Sequence, residues 1–405
     1  MLISIKTIVG TSLFLYLFSY IFFSKNVMDM SFLSTFKTVL IGAICFFMCQ
    51  RNKKNVNALG NETLALFPIM SIFLTVQLIC FFPLSSLLKL MVNCFFFLCL
   101  AKFSDKFLSS LFDFGIKIIA LIVCIGVAYF CIVNGRLSFF RDSVFFEKQL
   151  ASMIFCLALT FCFVDVFFEK KSNLNMIILS LILFFDLFVI QSKSSIFVAG
   201  LNVLLLCFVF KQVRFWIKRK IIPIICTFSI ILLMFPSFAL PDDVRFGINR
   251  ILGSEVFSTH YTRQIDRMDL TYSIREDLKE YCFSLFSNNP ITGIGLDKFS
   301  EYSKYGKSSF RGIGQTESQW LGILVEGGIP YALFFIVFFV ININTSYTAL
   351  KVRRDTDALK SFLLNINYPI MFVFNDFLDS LFWVSTGIFV GAAKRIDLTK
   401  NSELL

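Results

Sequence analysis

Apolar runs of about 18 or more residues, broken by short polar turns, recur along most of this chain. Within them the apolar positions are continuous and do not alternate, so helices are predicted and sheets are not. The runs fall near 4–23, 33–49, 64–82, 86–101, 114–133, 149–168, 174–190, 195–210, 221–240, 319–342, 361–375 and 379–393. That pattern predicts an all-α, polytopic membrane protein with about twelve transmembrane helices. The last two runs are short, and Asn375, Asp376 and Asp379 make their hairpin polar. One re-entrant segment would lower the number to ten or eleven.

One long polar stretch, from about Pro241 to Ser318, interrupts this pattern. It divides the chain into a bundle over 1–240 with about nine helices, a loop domain over 241–318, and C-terminal membrane helices over 319–405. The loop has helical signals of its own. From Ser273, the apolar residues Ile274, Leu278, Tyr281, Cys282 and Leu285 recur at helical spacing. Ser273 and Glu276 form a capping-box pattern, and Asn288-Asn289-Pro290 is a stop signal. These bounds predict an amphipathic helix over about 273–287, with Arg275 in its first turn. There Arg275 either snorkels to solvent or joins free N–H groups in holding an anion. Pro290-Ile291-Thr292-Gly293-Ile294-Gly295 reads as a tight turn, and Asp297 to Tyr305 as a second helix. Thr316 and Gln319 fit another capping box, which would put Glu317 in the first turn of the next span.

Composition agrees with a membrane protein. The 405 residues are 57% hydrophobic and only 16% charged, against about a quarter charged in soluble domains. The net charge of +11 raises a nucleic-acid reading, but its placement removes it. Lys and Arg cluster in short loops, among them Arg51, Lys53 and Lys54, Lys170 and Lys171, and Lys211 to Lys220. They recur after every second span, as the positive-inside rule requires, which places both termini in the cytoplasm and the long loop outside. The first apolar run is followed by further spans and reads as a signal anchor. Of 12 Cys, only Cys282 lies outside an apolar segment. No C-x-x-C or His/Cys metal pattern is present, so neither a metal nor another cofactor is expected.

The long loop is rich in arginine for so apolar a chain. Arg245, Arg250, Arg263, Arg267 and Arg275 fall within it, and Arg311 follows. A guanidinium is suited to forked recognition of phosphate oxygens. For any single Arg, pairing with Asp242, Asp243, Asp266 or Asp269 is the plain alternative. Within the spans, Asp165, Asp186 and Glu326 are intramembrane ionisable groups. Glu326 precedes Gly327, Gly328 and Pro330, where a kink is expected. His260 reads as a loop surface residue.

Several segments together resemble the O-antigen ligase/polymerase superfamily of bacterial envelope glycosyltransferases. They are Ser273-Ile274-Arg275, Ser287-Asn288-Asn289-Pro290-Ile291-Thr292-Gly293-Ile294-Gly295, and Trp320-Leu321 with Glu326-Gly327-Gly328-Ile329. Gln191-Ser192-Lys193-Ser194 resembles that family's "SR" turn. Two positions depart: Lys193 stands where the ligases commonly carry Arg, and Glu317-Ser318 where they carry His-Asn. These departures favour the Wzy-type polymerase branch. The resemblance implies a GT-C-like membrane fold in the bacterial inner membrane with the loop in the periplasm. It implies transfer of a growing glycan from undecaprenyl diphosphate to a lipid-linked repeat unit.

On that reading Glu317 and Arg275 are the candidate catalytic residues. Lys193, Arg245, Arg250, Arg263 and Arg311 are candidates for contacting diphosphate and glycan. The partners implied are undecaprenyl-diphosphate-linked oligosaccharide, membrane lipids and a chain-length regulator protein, with no nucleic acid. Other readings stay open: a lipid-linked oligosaccharide flippase or other transporter, an O-antigen ligase, or a non-enzymatic sensor or scaffold.

Overall fold

A computed structural model describes residues 4–22, 30–51, 66–81, 84–134, 148–167, 173–185, 193–209, 262–305, 316, 318–374 and 380–394. These residues form thirteen α-helices and no strand. They are α1 (Ile5–Phe22), α2 (Met30–Arg51), α3 (Leu66–Cys80), α4 (Leu84–Phe103), α5 (Lys106–Asn134), α6 (Lys148–Phe167) and α7 (Asn173–Phe185). The others are α8 (Lys193–Val209), α9 (Thr262–Asn288), the short α10 (Phe299–Tyr302), α11 (Gln319–Arg353), α12 (Thr356–Phe374) and α13 (Ser380–Lys394). A 3₁₀ turn over Ser303–Tyr305 extends α10. Three described segments are long and apolar enough to cross a membrane: α4, α5 over Lys106–Tyr129, and α11. Shorter apolar helices accompany them. The described residues are thus all-helical, and these apolar helices make a multi-pass membrane protein. The expected span at 221–240 lies outside the described residues, as do Asp186 and His260.

The helices group into two compact units. One comprises Met1–Gly115 and Thr271–Leu405, the other Ile116–Leu270. The first contains an aromatic core. Phe334, Phe335, Phe338 and Phe339 recur at helical spacing on α11, and the last three pack with Phe372 of α12 and with Phe382 and Trp383 of α13. Gly387 and Gly391 bring α13 close to α4: a Cβ on Gly391 would lie 2.6 Å from the Leu100 carbonyl oxygen. Small residues four apart permit this backbone approach in membrane helix pairs.

Several polar groups inside the first unit pair across helices. Lys360 Nζ of α12 meets Asp113 Oδ2 of α5 at 2.6 Å, with both side chains nearly buried. Ser346 of α11 bonds Ser361 of α12 at 2.7 Å, and Asn365 donates to the Ser361 carbonyl at 2.8 Å. These contacts explain why α11 continues past the expected end near 342. Its polar C-terminal third packs on α12, and Asn342 donates back to the Phe338 carbonyl. Residues that resemble a membrane exit are buried helix–helix contacts.

The second unit holds most of α5 together with α6, α7 and α8. Asp165 of α6 pairs with Lys117 of α5, and both side chains are buried. Ser152 of α6 bonds Ser194 of α8 at 2.8 Å, and Asn202 donates to Thr160 at 3.1 Å. The intramembrane carboxylate at 165 is thus part of a buried ion pair.

Candidate active site

The site is built around a break in α11. At Gly328 the backbone leaves the helix, with φ 68° and ψ −165°. Two residues later Pro330 has no N–H, so the Glu326 carbonyl loses its helical donor. A buried backbone group left unpaired costs free energy, and the missing partners come from the turn after α9. Ile294 N–H donates to the Val325 carbonyl at 2.9 Å, and Gly295 N–H to the Glu326 carbonyl at 3.0 Å. In return, Ile329 N–H donates to the Pro290 carbonyl at 2.8 Å. The turn therefore completes the hydrogen bonding of the broken helix.

Glycine is required on both sides of this junction. Gly293 has φ 65°, and a Cβ on it would lie 2.3 Å from the Glu326 carbonyl oxygen. A Cβ on Gly328 would lie 2.5 Å from the Ile291 carbonyl oxygen. Helix α3 supports the turn from another side. Gln77 donates to the Thr292 carbonyl at 2.8 Å, and Phe73 stacks on Tyr331 with centroids 4.4 Å apart.

The C-terminal half of α9 packs over this junction. Leu278 and Cys282 bury against Ile294, Phe299, Leu321 and Val325, with Tyr281 and Leu285 beside them. The amphipathic stripe expected from the sequence is the one that packs. Burial pushes the Cys282 thiol up to about 12. The Tyr281 phenol is also raised, by burial first and then by Cys282 and Tyr302 nearby; its hydroxyl donates to the Tyr302 carbonyl at 2.8 Å.

Below the docked turn lies a polar cavity of about 370 Å³, a volume typical of a small-ligand site. Helix α4 contributes Ser86, Lys89 and Asn93, spaced so that all three fall on one helix face. The turn and α10 contribute Asp297 and Ser300, and the start of α11 contributes Gln319 and Glu326, with Thr316 before it. Tyr331 and Trp383, both almost fully buried, back the wall. Glu326 Oε1 accepts from Phe299 N–H at 3.4 Å. The Glu326 side chain therefore reaches the cavity wall while its carbonyl holds the turn. Asp297 has φ 59°, a left-handed conformation uncommon outside glycine that clusters at functional sites.

The sequence-predicted residues distribute as follows. Arg275 lies well inside α9, which begins at Thr262 and not near Ser273. Its neighbouring backbone N–H groups are therefore committed to the helix ladder, which corrects the expected anion site built from Arg275 and free N–H groups. The helix does end at Asn288 as its stop signal predicts. Arg263 is in the first turn of α9, and Lys193 opens α8. The side chains of Arg275, Arg263 and Lys193, together with Glu317, Arg245, Arg250 and Arg311, lie outside the described residues.

A second correction concerns the start of α11. Its N-cap is Ser318 and not Thr316, so the first helical turn starts at Gln319. Thr316 Oγ1 instead donates to the Ser318 carbonyl at 2.9 Å. Ser318 Oγ donates to the Phe372 carbonyl at 2.9 Å, one of the unpaired acceptors at the end of α12, and Trp320 Nε1 donates to the Pro369 carbonyl at 2.7 Å. Sequence reasoning missed Ser86, Lys89 and Asn93. Their signal was a polar stripe at i, i+3 and i+7 on an otherwise apolar helix.

No curated protein matches the chain. Residues 178–336 match the family model described as O-antigen ligase. This segment is less than half of the chain, but it holds the turn, the break in α11 and one wall of the cavity. With the fold and this junction in view, the match supports the O-antigen ligase/polymerase superfamily for this chain, and it does so equally for the superfamily's ligases and its polymerases.

Proposed function

We propose that this protein is a Wzy-type polymerase of a surface polysaccharide, acting at the periplasmic face of the bacterial inner membrane. It transfers a growing glycan from undecaprenyl diphosphate to a lipid-linked repeat unit. The observation that carries this reading is the polar cavity at the break in α11, walled partly by the segment that matches the family. Unwound helix backbone at membrane depth is tolerated where it is buried in protein or lines a cavity.

In the proposed step, a hydroxyl oxygen of the acceptor sugar attacks the donor's anomeric carbon. The bond from that carbon to the diphosphate oxygen breaks, and the electron pair leaves with the diphosphate. Attack opposite the leaving group inverts the anomeric centre. Glu317 takes the hydroxyl proton. It adjoins Thr316, which lines the cavity, and positioning of the two reactants supplies much of the rate. Arg275 stabilises the charge that develops on the diphosphate, with Lys193, Arg245, Arg250, Arg263 and Arg311 as its candidate partners. A chain-length regulator protein is the proposed partner in the membrane, and both termini are cytoplasmic.

The test is extension of purified lipid-linked repeat units by the full-length protein. Glu317→Ala should lower the rate at least a hundredfold, the size of a lost general base. Arg275→Lys, which keeps the charge but loses the fork, should also lower it. Wild-type polymer from Glu317→Ala at normal expression would remove its catalytic role. Ligation is the second reading, since the matched family model is described as O-antigen ligase. Cells lacking the protein separate the two: loss of polymerase leaves single repeat units at the surface, and loss of ligase leaves none attached.

A further inference from the structure

We propose that the cavity is a saccharide subsite, and that the Ser86–Lys89–Asn93 face of α4 recognises a sugar ring of the substrate. The inference rests on the glycosyltransferase reading above, but it assigns the cavity to the glycan and not to the diphosphate.

The charges separate these alternatives. A diphosphate site needs cations in excess, held for forked contact with phosphate oxygens. Among the described residues this cavity has one ammonium, Lys89, against the carboxylates of Asp297 and Glu326. The rest of its polar wall is amide and hydroxyl, from Asn93, Gln319, Ser86, Ser300 and Thr316. Such mixed donors and acceptors match vicinal sugar hydroxyls, each of which both donates and accepts.

The α4 stripe makes the same point. Leu88, Met91 and Phe95 cover the opposite face of α4 and are exposed, as suits a lipid-facing surface. Lys89 and Asn93 sit on the cavity face, and no hydrogen bond or ion pair among the described residues engages either. An ammonium within a membrane helix is costly unless it meets water or a ligand, and residues of this kind mark substrate pathways. The structural duty of the turn and the break is met by backbone bonds, so it does not account for this stripe.

The probe is the oligosaccharide released by mild acid from lipid-linked repeat units. Undecaprenyl diphosphate without sugar is the second probe. Binding of each to full-length protein in nanodiscs is followed by titration. Lys89→Met, at an exposed position that tolerates the change, should weaken saccharide binding about tenfold or more, as should Asn93→Leu. Leu88→Ala on the opposite face should change it less than twofold. Binding of undecaprenyl diphosphate should be unchanged in all three. Saccharide affinity that is absent from the wild type, or unaltered by both Lys89→Met and Asn93→Leu, overturns the subsite. If the same wild-type protein still extends lipid-linked units, only the subsite falls. If stripe-dependent saccharide binding occurs in a protein that never extends a chain, the subsite stands and the polymerase reading falls.

Discussion

Replacing Gly293 with alanine tests the junction between the turn and α11 most directly. The new Cβ would be 2.3 Å from the Glu326 carbonyl oxygen and 2.4 Å from its carbon. Both are backbone atoms, so no side-chain rotation relieves the overlap. Alanine also disfavours the left-handed conformation at φ 65°, by about 1–2 kcal/mol. The turn must therefore leave the break. Undocking gives up three backbone hydrogen bonds, those of Ile294, Gly295 and Ile329, which together contribute about 3 kcal/mol. Hydrogen exchange with mass spectrometry, on protein in nanodiscs, reads these amides. They should exchange roughly a hundredfold faster in Gly293→Ala, since 1.4 kcal/mol is about tenfold. Gly42→Ala is the control: a Cβ there meets nothing within 4 Å, and alanine in a helix is favoured by about 1 kcal/mol. Wild-type protection at Ile294, Gly295 and Ile329 in Gly293→Ala would refute the docked arrangement.

Further predictions address the bundle and α9. Lys360→Met leaves the buried Asp113 without its cation and should destabilise the protein by about 3–5 kcal/mol, while Lys360→Met with Asp113→Leu should recover most of that loss; thermal unfolding of purified protein measures both. Trp320→Phe deletes the donor to the Pro369 carbonyl and should cost about 1 kcal/mol in the same assay. Because burial raises the Cys282 thiol to about 12, its thiolate is scarce at any pH well below that value. Maleimide should therefore fail to label Cys282 at pH 7.5 in folded protein and should label it after denaturation; rapid labelling in the folded state would contradict its burial.

Much of the fold was legible because membrane helices announce themselves by continuous apolarity. Eleven of the predicted spans correspond to described helices, with bounds mostly within a few residues. Two departures have physical causes. Helix α9 begins at Thr262, because Arg263, Gln264, Arg267 and Met268 are adequate helix formers without an apolar stripe to reveal them. The S-x-x-E pattern at Ser273 is a capping signal inside a continuing helix. Helix α11 runs on to Arg353 because its late Asn and Ser residues are satisfied by α12 or by its own backbone.

The site was half legible. The turn glycines and the Glu-Gly-Gly-Ile segment were visible as motifs, and the kink was expected near Gly327, Gly328 and Pro330. What no motif disclosed is that these segments complete each other's hydrogen bonds, a relation between residues more than 30 apart in sequence. Lys89 and Asn93 escaped notice because two polar residues on an apolar helix look incidental until a cavity is seen beside them.

The junction also bears on how the chain is made. Until the turn arrives, α11 presents bare carbonyls at Val325 and Glu326 and a bare amide at Ile329, an unfinished surface for any lipid environment. The residues that cover it precede α11 in the chain, so they have already been synthesised when the broken helix leaves the ribosome. Chain order thus supplies the helix with its own fitting in advance, and a permuted protein with the turn placed after α11 would insert a span still lacking its partners.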